Sequence, residues 1–200
     1  MPTTQRTLEL VTVDGHRLQA DLAVPDHAVA SLVVCHPHPS YGGNRFNPVV
    51  DAIYRTAPGH GVLTLRFDFR AAHGGGVAER ADVVAAIDEV TGRCDGPVMV
   101  AGYSFGAAVA LTTDDARIDA LVAIAPPLAM FPIDSPRVPT LVVAPRHDQI
   151  TDIDVVTATI DTWPDARLEV LPTADHFLAG HTDQVATLVT TWLDERYPAS

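Results

Sequence analysis

Short apolar runs typical of buried strands alternate along this chain with longer segments whose apolar residues recur at helical spacing. This alternation predicts a mostly parallel sheet covered by helices on both faces, since consecutive parallel strands need a crossover connection. The start of the chain differs, because two runs of alternating polarity meet at Asp14-Gly15, a dipeptide that favours a tight hairpin. We therefore expect an α/β fold with an antiparallel hairpin at its N-terminal edge.

Strand-like and helix-like segments fill the chain without a linker, an internal repeat or a low-complexity tract. A length of 200 residues fits one domain, so we expect residues 1–200 to form a single unit. The predicted strands are Thr7–Val13, Arg17–Val24, Ser31–Cys35, Val62–Phe67, Val98–Ala101, Ile118–Ile124, Val138–Ala144 and Arg167–Leu171. The predicted helices are Asn44–Ala57, Val77–Val90, Ser104–Thr112, Asp152–Thr162 and His181–Arg196.

The formal net charge of −12 limits the partners expected for this chain. Nucleic acids and anionic membrane surfaces attract Lys and Arg, so we expect neither as a partner. Lysine is absent altogether. Its absence excludes chemistry that needs an amine, such as Schiff bases, pyridoxal phosphate or a Ser–Lys hydrolase, and it excludes a Walker A loop.

Three features of the sequence predict a cytoplasmic protein. No apolar run reaches the roughly 18–20 residues that a membrane helix needs. The first residues, Met1–Leu10, lack a basic start followed by an apolar stretch, so we expect no secretory signal. The two cysteines, Cys35 and Cys94, give no disulfide framework and are expected to be reduced thiols.

A serine lies in a strand-turn-helix context at Gly102-Tyr103-Ser104-Phe105-Gly106. The apolar run Val98–Ala101 precedes this G-x-S-x-G motif and small residues follow it, which is the context of a nucleophile elbow. Side chains at the flanking positions would clash in so sharp a turn, so both are glycine. The turn would hold the Ser104 hydroxyl at a helix N-terminus, where unpaired N–H groups favour negative charge. Ser104 is the candidate nucleophile; the alternative is that it only caps the helix.

A serine hydroxyl needs a base to become a nucleophile, and the chain has nine histidines. The order nucleophile, acid, histidine that accompanies such an elbow leaves His147, His176 and His181. His176 follows a predicted strand and precedes the last helix, so it should lie at the carboxyl edge of the sheet, where ligands of open α/β sheets bind. We predict His176 as the base and expect His181 to be solvated.

The acid that orients the base should follow the preceding predicted strand, and Asp148 stands there. A buried carboxylate at this position would accept the imidazole N–H and thereby fix the tautomer of the ring. Asp152 is the alternative, although its place before a predicted helix is typical of an N-cap. Asp175, beside His176, would face the wrong way on an extended loop. We predict Asp148 as the acid.

A tetrahedral oxyanion needs two donors, which are usually backbone N–H groups. One should be the amide of Phe105, directly after the candidate nucleophile. The other should come from the loop H-P-H-P-S-Y-G-G (36–43), in which the prolines have no N–H. His38 is therefore the favoured second donor, ahead of Ser40 and Tyr41.

Two weaker signals suggest other kinds of site. His36-x-His38 has the form of a metal-binding pair, but no cysteine or clustered carboxylate completes it, so we expect no metal. Gly74-Gly75-Gly76 precedes a predicted helix, as in some nucleotide-binding loops, yet no acidic ribose ligand accompanies it. We accordingly expect no cofactor.

These motifs resemble those of the α/β-hydrolase superfamily, and within it the small lid-less bacterial serine hydrolases, esterase-like or dienelactone-hydrolase-like, with an HPHP…GG oxyanion loop. The resemblance covers nearly the whole chain. It rests on H-P-H-P-S-Y-G-G (36–43), L-R-F-D-F-R (65–70), G-Y-S-F-G (102–106), Ala125-Pro126-Pro127, Asp148 and A-D-H-F (174–177). The resemblance implies esterase-type hydrolysis through Ser104, Asp148 and His176.

Two segments depart from the pattern of that family. The family usually has a Gly-rich acidic stretch around the triad aspartate, often Asp-Glu, whereas this chain has Ala144-Pro145-Arg146-His147-Asp148-Gln149. The family usually continues F-x-F-R with Gly, whereas this chain continues with Ala71-Ala72-His73. The first departure bears on the tuning of the acid, and the second bears on the wall of the pocket.

The connection between the predicted strands that end near Ala125 and begin near Val138 is too short to hold a cap domain. We therefore expect a shallow, open pocket that suits small or flexible acyl esters over long-chain lipids. Its lining would consist of Tyr41, Phe105, Leu128, Met130, Phe131 and Phe177. A homodimer contact is the other use left open for the apolar residues 125–131.

The sequence thus predicts a serine hydrolase that acts on a small-molecule acyl substrate through an acyl-enzyme intermediate. Acyl transfer, thioester hydrolysis and dienelactone-type chemistry on the same scaffold are alternatives within the enzyme class. A non-catalytic binding protein that has kept the fold is an alternative from a different class.

Overall fold

Strands and helices alternate along the chain after an N-terminal hairpin. In the computed structural model, which describes residues 3–71 and 74–198, the strands are Thr3–Val11 (β1), Arg17–Pro25 (β2), Ala30–Cys35 (β3), Val62–Phe67 (β4), Val98–Tyr103 (β5), Ile118–Ile124 (β6), Thr140–His147 (β7) and Ala166–Asp175 (β8). The α-helices are Pro48–Thr56 (α1), Arg80–Thr91 (α2), Phe105–Thr112 (α3), Ile153–Ile160 (α4) and Thr182–Arg196 (α5). Short 3-10 turns occur at Pro39–Tyr41 and Ala57–His60.

The strands form one eight-stranded sheet in the order β1-β2-β4-β3-β5-β6-β7-β8. β2 pairs antiparallel with β1 and β4, and the pairs from β4 to β8 are parallel. The expected α/β fold, with a mostly parallel sheet and an antiparallel hairpin at its edge, is therefore confirmed. The order of the parallel strands reverses at β3, which has β4 on one side and β5 on the other. In open sheets ligands bind beside such a switch point, at the carboxyl ends of the strands.

Helices cover both faces of the sheet, as the alternation of apolar segments predicts. On one face α2, α3 and α4 pack against the sheet in a core cluster that includes Val83, Val109 and Ile160. On the other face α1 and α5 pack in a second cluster that includes Ile53 and Trp192. Helix α3 is apolar and buried on all sides, so the turn that precedes it is held by the core.

The connection between β6 and β7, residues 125–139, consists of turns, bends and irregular backbone. It carries no cap domain, in agreement with the expectation from its length. Among the helices of the described residues, none is both long enough and apolar enough to cross a bilayer.

Two helices begin three or four residues later than the sequence predicts, and each has a local cause. α1 begins at Pro48 rather than Asn44, because the Asn47 side chain accepts the Val49 N–H at 3.0 Å and proline is favoured at the first helical position. α2 begins at Arg80 rather than Val77. The residues before it form a loop whose backbone donates to the carboxylate of Glu79.

The last strand is longer than the sequence predicts. A strand over Arg167–Leu171 followed by a loop is the expectation, whereas β8 continues to Asp175 beside β7. β8 is the outer strand of the sheet, where Pro172 is tolerated because no neighbouring strand needs its missing N–H. As a result His176 directly follows the last residue of a strand.

Candidate active site

Ser104 occupies the sharp turn between β5 and α3, with backbone angles φ 54° and ψ −117°. Few residues other than glycine adopt a positive φ, so the surrounding structure must hold this turn in place. A Cβ at Gly102 would lie 2.1 Å from the Gly106 carbonyl oxygen. A Cβ at Gly106 would lie 2.5 Å from the carbonyl oxygen of Cys35, at the end of β3. Both glycines of the motif are therefore required by the close approach of backbone to backbone.

The structure brings Ser104, His176 and Asp148 into one hydrogen-bonded line. Ser104 Oγ lies 3.0 Å from His176 Nε2. His176 Nδ1 lies 3.0 Å from Asp148 Oδ1 and 2.9 Å from Oδ2. An ionised carboxylate can only accept, so Nδ1 carries the ring proton and Nε2 is left to accept the Ser104 hydroxyl proton.

Neighbouring strand ends bring the acid and the base together. β7 and β8 are adjacent and parallel, and His147 pairs in register with Asp175. Asp148 and His176 each follow one of these residues, so the two side chains arise at the same level of the sheet edge. β5, which ends at Tyr103, presents Ser104 at that edge as well.

The Asp148 carboxylate is almost removed from solvent, with 3% of its side chain exposed. Its Oδ1 accepts the Ile150 N–H at 2.7 Å and the Thr151 N–H at 3.2 Å, besides its contact with the imidazole. These donors satisfy a buried charge that would otherwise be costly. The other candidate acid, Asp152, has a different partner: it accepts the Asp154 N–H at 2.8 Å as the N-cap of α4.

The side chains of Phe105 and His38, the two expected oxyanion donors, are in edge-on contact, with ring centroids 4.7 Å apart. Phe105 is the first residue of α3, and within the described residues its N–H has no hydrogen-bond acceptor. The His38 carbonyl accepts the Tyr41 and Gly43 N–H groups at 3.0 and 3.1 Å, which closes the loop after β3 into a tight turn. This turn holds the loop beside the N-terminus of α3.

His36, the first histidine of that loop, is buried and uses both of its ring nitrogens. Nε2 accepts the Phe69 N–H at 3.0 Å, and Nδ1 lies 2.6 Å from the Pro37 carbonyl oxygen, to which it donates. Burial lowers the pKa of His36 below its ordinary value, which keeps the ring neutral. The ring thus ties the loop to the residues after β4. In the part of the chain that the structure describes, no group of three or more His, Cys, Asp or Glu side chains could hold a metal ion.

The glycine run at 74–76 surrounds a carboxylate of the protein itself. The N–H groups of Gly74 and Gly76 donate to Glu79 at 2.8 and 2.9 Å, and Glu79 is fully buried. These donors are the ones that a nucleotide phosphate would need, and they are occupied. A Cβ at Gly76 would lie 3.7 Å from the Phe105 ring, so this loop borders the candidate site.

The predicted pocket residues differ in their exposure. Tyr41, Phe177 and Met130 are 90%, 71% and 65% exposed, whereas Leu128 is buried in the core cluster that contains Phe105. Phe131 is half-buried. Three surface grooves, of about 510, 580 and 350 Å³, are lined by other residues and include none of the three triad candidates.

Two residues that contact the candidate base are not among the site residues predicted from the sequence. The Tyr103 hydroxyl donates to the His176 carbonyl oxygen at 2.7 Å, and Gln149 Oε1 accepts the His176 N–H at 3.4 Å. Both residues directly adjoin a triad candidate in the chain, and that adjacency is the one signal in the sequence that pointed to them.

The chain shares sequence with a known bacterial protein over most of its length. No protein-family model matches the chain. An uncharacterized protein of Rickettsia prowazekii (strain Madrid E), RP471, is 27% identical to it, over 80% of this chain and 77% of that protein.

Solved structures of the same fold match nearly the full length. XC6422 of Xanthomonas campestris, described as an α/β serine hydrolase without lid, has a TM-score of 0.88 at 27% identity, covering 100% of this chain and 98% of that one. An α/β serine hydrolase homologue of Coxiella burnetii has a TM-score of 0.84 at 24% identity, covering 94% and 97%. Esterase Pf2001 of Pyrococcus furiosus has a TM-score of 0.82 at 17% identity, covering 98% and 94%. The chain therefore has the fold of the α/β-hydrolase superfamily, in the form without a lid.

Proposed function

We propose that this protein is a serine hydrolase that cleaves a small ester or a related small-molecule acyl compound. The observation that carries the proposal is the line of contacts from Ser104 Oγ to His176 Nε2, 3.0 Å, and from His176 Nδ1 to the buried Asp148 carboxylate, 2.9 Å. Each distance is that of a hydrogen bond, and each side chain is of the type that its step requires. The likeness in fold to serine hydrolases is an independent support.

The first half of the reaction forms an acyl-enzyme. The Ser104 oxygen attacks the acyl carbonyl carbon while His176 Nε2 takes the hydroxyl proton, and the carbonyl π electrons move to the oxygen. Asp148 stabilises the imidazolium that forms. When the tetrahedral intermediate collapses, the bond to the leaving alcohol breaks, and His176 gives its proton to that alcohol.

The negative charge on the tetrahedral oxygen needs donors that are already in place. The N–H of Phe105, which has no acceptor among residues 3–71 and 74–198, is one, and the N-terminus of α3 adds the favourable end of its dipole. The N–H of His38, on the loop beside Phe105, is the second donor in this scheme. Hydrolysis is completed when a water that His176 deprotonates attacks the acyl carbon, and His176 returns that proton to the Ser104 oxygen as the acyl–serine bond breaks.

The surroundings of the site favour small substrates. The connection from β6 to β7 provides no lid, and Tyr41, Met130 and Phe177 are exposed rather than folded into a deep cavity. A long acyl chain would therefore remain largely in water, whereas a short one needs little burial. Acyl transfer, thioester hydrolysis and dienelactone-type hydrolysis use the same three side chains, and only a panel of substrates separates them.

Steady-state hydrolysis by the purified protein tests the proposal. We expect turnover of acetyl and butyryl esters that falls by several orders of magnitude in Ser104→Ala and in His176→Ala, with both variants folded. Activity that survives in Ser104→Ala would overturn the proposal. Binding of small acyl compounds without turnover would instead support a non-catalytic binding protein. The structure buries residues 125–128, so the alternative use of this segment as a homodimer contact is left to the exposed Ala129 and Met130. Sedimentation analysis tests that alternative.

A further inference from the structure

The tyrosine within the G-x-S-x-G motif reaches across to the loop that carries the base. Tyr103 ends β5 and immediately precedes Ser104, and its hydroxyl donates to the His176 carbonyl oxygen at 2.7 Å. We propose that Tyr103 is a positioning residue, which holds the main chain of His176 so that the imidazole faces Ser104. The inference rests on the proposed function, because it assigns a role within that same site.

The main chain at His176 depends on side chains for its hydrogen bonds. The turn after β8 is closed by neighbours of His176: Leu178 N–H donates to the Asp175 carbonyl oxygen at 3.1 Å, and Phe177 N–H donates to Asp175 Oδ1 at 3.0 Å. Leu178 adopts a positive φ of 56°. Across residues 3–71 and 74–198, neither the N–H nor the carbonyl of His176 has a backbone partner. Buried polar groups of the backbone must be paired, so the N–H and the carbonyl of His176 need partners from side chains.

Two side chains supply these partners, one from the strand of the nucleophile and one from the loop of the acid. The Tyr103 hydroxyl donates to the carbonyl oxygen at 2.7 Å, and Gln149 Oε1 accepts the N–H at 3.4 Å. The longer distance makes the Gln149 contact the weaker one. Gln149 is also exposed to solvent, whereas Tyr103 is 5% exposed. The positioning effect should therefore reside mainly in Tyr103.

Burial keeps the tyrosine in the form that can donate. The pKa of Tyr103 is raised above its ordinary value, first by burial and then by the negative charges of Asp148 and Asp175. The hydroxyl therefore stays protonated at neutral pH. The Tyr103 ring also lies near the imidazole, with centroids 5.9 Å apart and an interplanar angle of 32°.

Loss of the hydroxyl should affect chemistry rather than substrate binding. Without its donor, the buried His176 carbonyl would be unpaired, and the turn would shift to find another partner. Displacement of a catalytic group by about 1 Å costs up to about 100-fold in rate. Among the expected acyl-binding residues Phe177 shares this turn, but its side chain is 71% exposed, and the others lie on other segments of the chain. The affinity for substrate should therefore change little.

The test compares Tyr103→Phe with Tyr54→Phe, which removes the hydroxyl of another buried tyrosine. Tyr54 lies on α1 against Arg66, outside the triad. For Tyr103→Phe we expect kcat on an acetyl ester, and the rate of Ser104 labelling by a fluorophosphonate, to fall about 10- to 100-fold. We expect KM to stay within about twofold, and Tyr54→Phe to match the wild type in all three quantities. Thermal unfolding by circular dichroism establishes that both variants are folded at the assay temperature.

Unchanged kcat and labelling in folded Tyr103→Phe would overturn the inference. A rise in KM without a change in kcat would overturn it as well. If Tyr103→Phe is unfolded at the assay temperature, the variants and the wild type are compared at a lower temperature at which circular dichroism shows all of them folded. A lower kcat of Tyr103→Phe at unchanged KM then supports the inference, and an unchanged kcat overturns it. Failure of the proposed function is a separate result, since wild-type protein would then show no labelling at Ser104.

Discussion

His147 and Asp175 are register partners on the adjacent parallel strands β7 and β8, and each is followed directly by a member of the candidate triad. The acid and the base therefore arise from two strand ends at the same level, with the Nδ1 of His176 2.9 Å from Asp148 Oδ2. Strands fix positions better than free loops do, so the geometry of the pair is built into the sheet.

The two candidate acids can be separated by substitution. We expect Asp148→Asn to lower kcat by about 10⁴-fold, as loss of the orienting carboxylate does in serine proteases, because the amide cannot fix the reactive tautomer. Asp152→Ala should keep its activity and lose about 1 kcal/mol of unfolding free energy, since Asp152 caps α4. Ester hydrolysis and urea unfolding of both variants provide the measurement. Loss of activity in Asp152→Ala with activity retained in Asp148→Asn would reverse the assignment.

The strained turn at Ser104 predicts that glycine at this position abolishes activity but relieves the backbone strain. Ser104→Gly and Ser104→Ala should both be inactive, but glycine adopts the positive φ of 54° without the strain that a side chain causes. We expect Ser104→Gly to unfold with a free energy about 1 kcal/mol higher than Ser104→Ala, which retains the strain. Chemical denaturation of the two inactive variants makes the comparison. A lower stability for Ser104→Gly would mean that the turn is not strained.

The close approach of β3 to the elbow predicts that Gly106 cannot be enlarged. A Cβ there would lie 2.5 Å from the Cys35 carbonyl oxygen, and backbone cannot give way as a flexible side chain can. We expect Gly106→Ala to lose more than about 2 kcal/mol of stability together with its activity. Gly59→Ala is the matched control, because a Cβ at that position has no atom within 4 Å. Equal stability of the two variants would contradict the geometry.

Burial of His36 predicts a pH dependence of stability. The pKa of His36 is lowered in the folded state, so below the ordinary value of about 6.5 the unfolded chain binds more protons than the folded one. Stability from this group is complete above about pH 6.5 and is lost as the pH falls, by at most about 1.4 kcal/mol per pH unit. The free energy of unfolding, measured with urea between pH 7.5 and pH 5, should therefore fall less steeply with decreasing pH for His36→Gln than for the wild type. Identical slopes would show that His36 does not titrate differently on folding.

The open surroundings of the site predict a preference for short acyl chains. Tyr41 and Phe177 are 90% and 71% exposed, so they offer little enclosed surface to a long chain. We expect kcat/KM for acetyl or butyryl esters to exceed that for long-chain esters in a series with a common alcohol. Faster hydrolysis of the long-chain esters would show that the exposed apolar side chains close around the substrate.

The features that follow from chain order and apolar spacing could be predicted from the sequence. The parallel sheet, the opening hairpin and the absence of a cap follow from the strand-helix alternation and a short connection. The convergence of Ser104, Asp148 and His176 follows from the rule that parallel strands end at one edge. These inferences need no knowledge of side-chain packing.

Features that depend on distant partners could not be predicted in this way. The Tyr103 hydroxyl bonds to a backbone carbonyl 73 positions away, and no residue type at that position signals an acceptor. The late start of α2 depends on Glu79 turning its carboxylate back to Gly74 and Gly76. The extension of β8 to Asp175 passes through Pro172, which locally indicates a loop and is tolerated because the strand is at an edge.

Covalent labelling tests most directly whether Ser104 is a nucleophile that His176 activates. Folded wild-type protein is treated with a fluorophosphonate, and the modified peptide is identified by mass spectrometry, with His176→Ala as the matched variant. We expect a single adduct at Ser104 in the wild type, formed at least about 100-fold more slowly in His176→Ala. No adduct at Ser104 in the wild type, or labelling at an equal rate without the imidazole, would contradict the account.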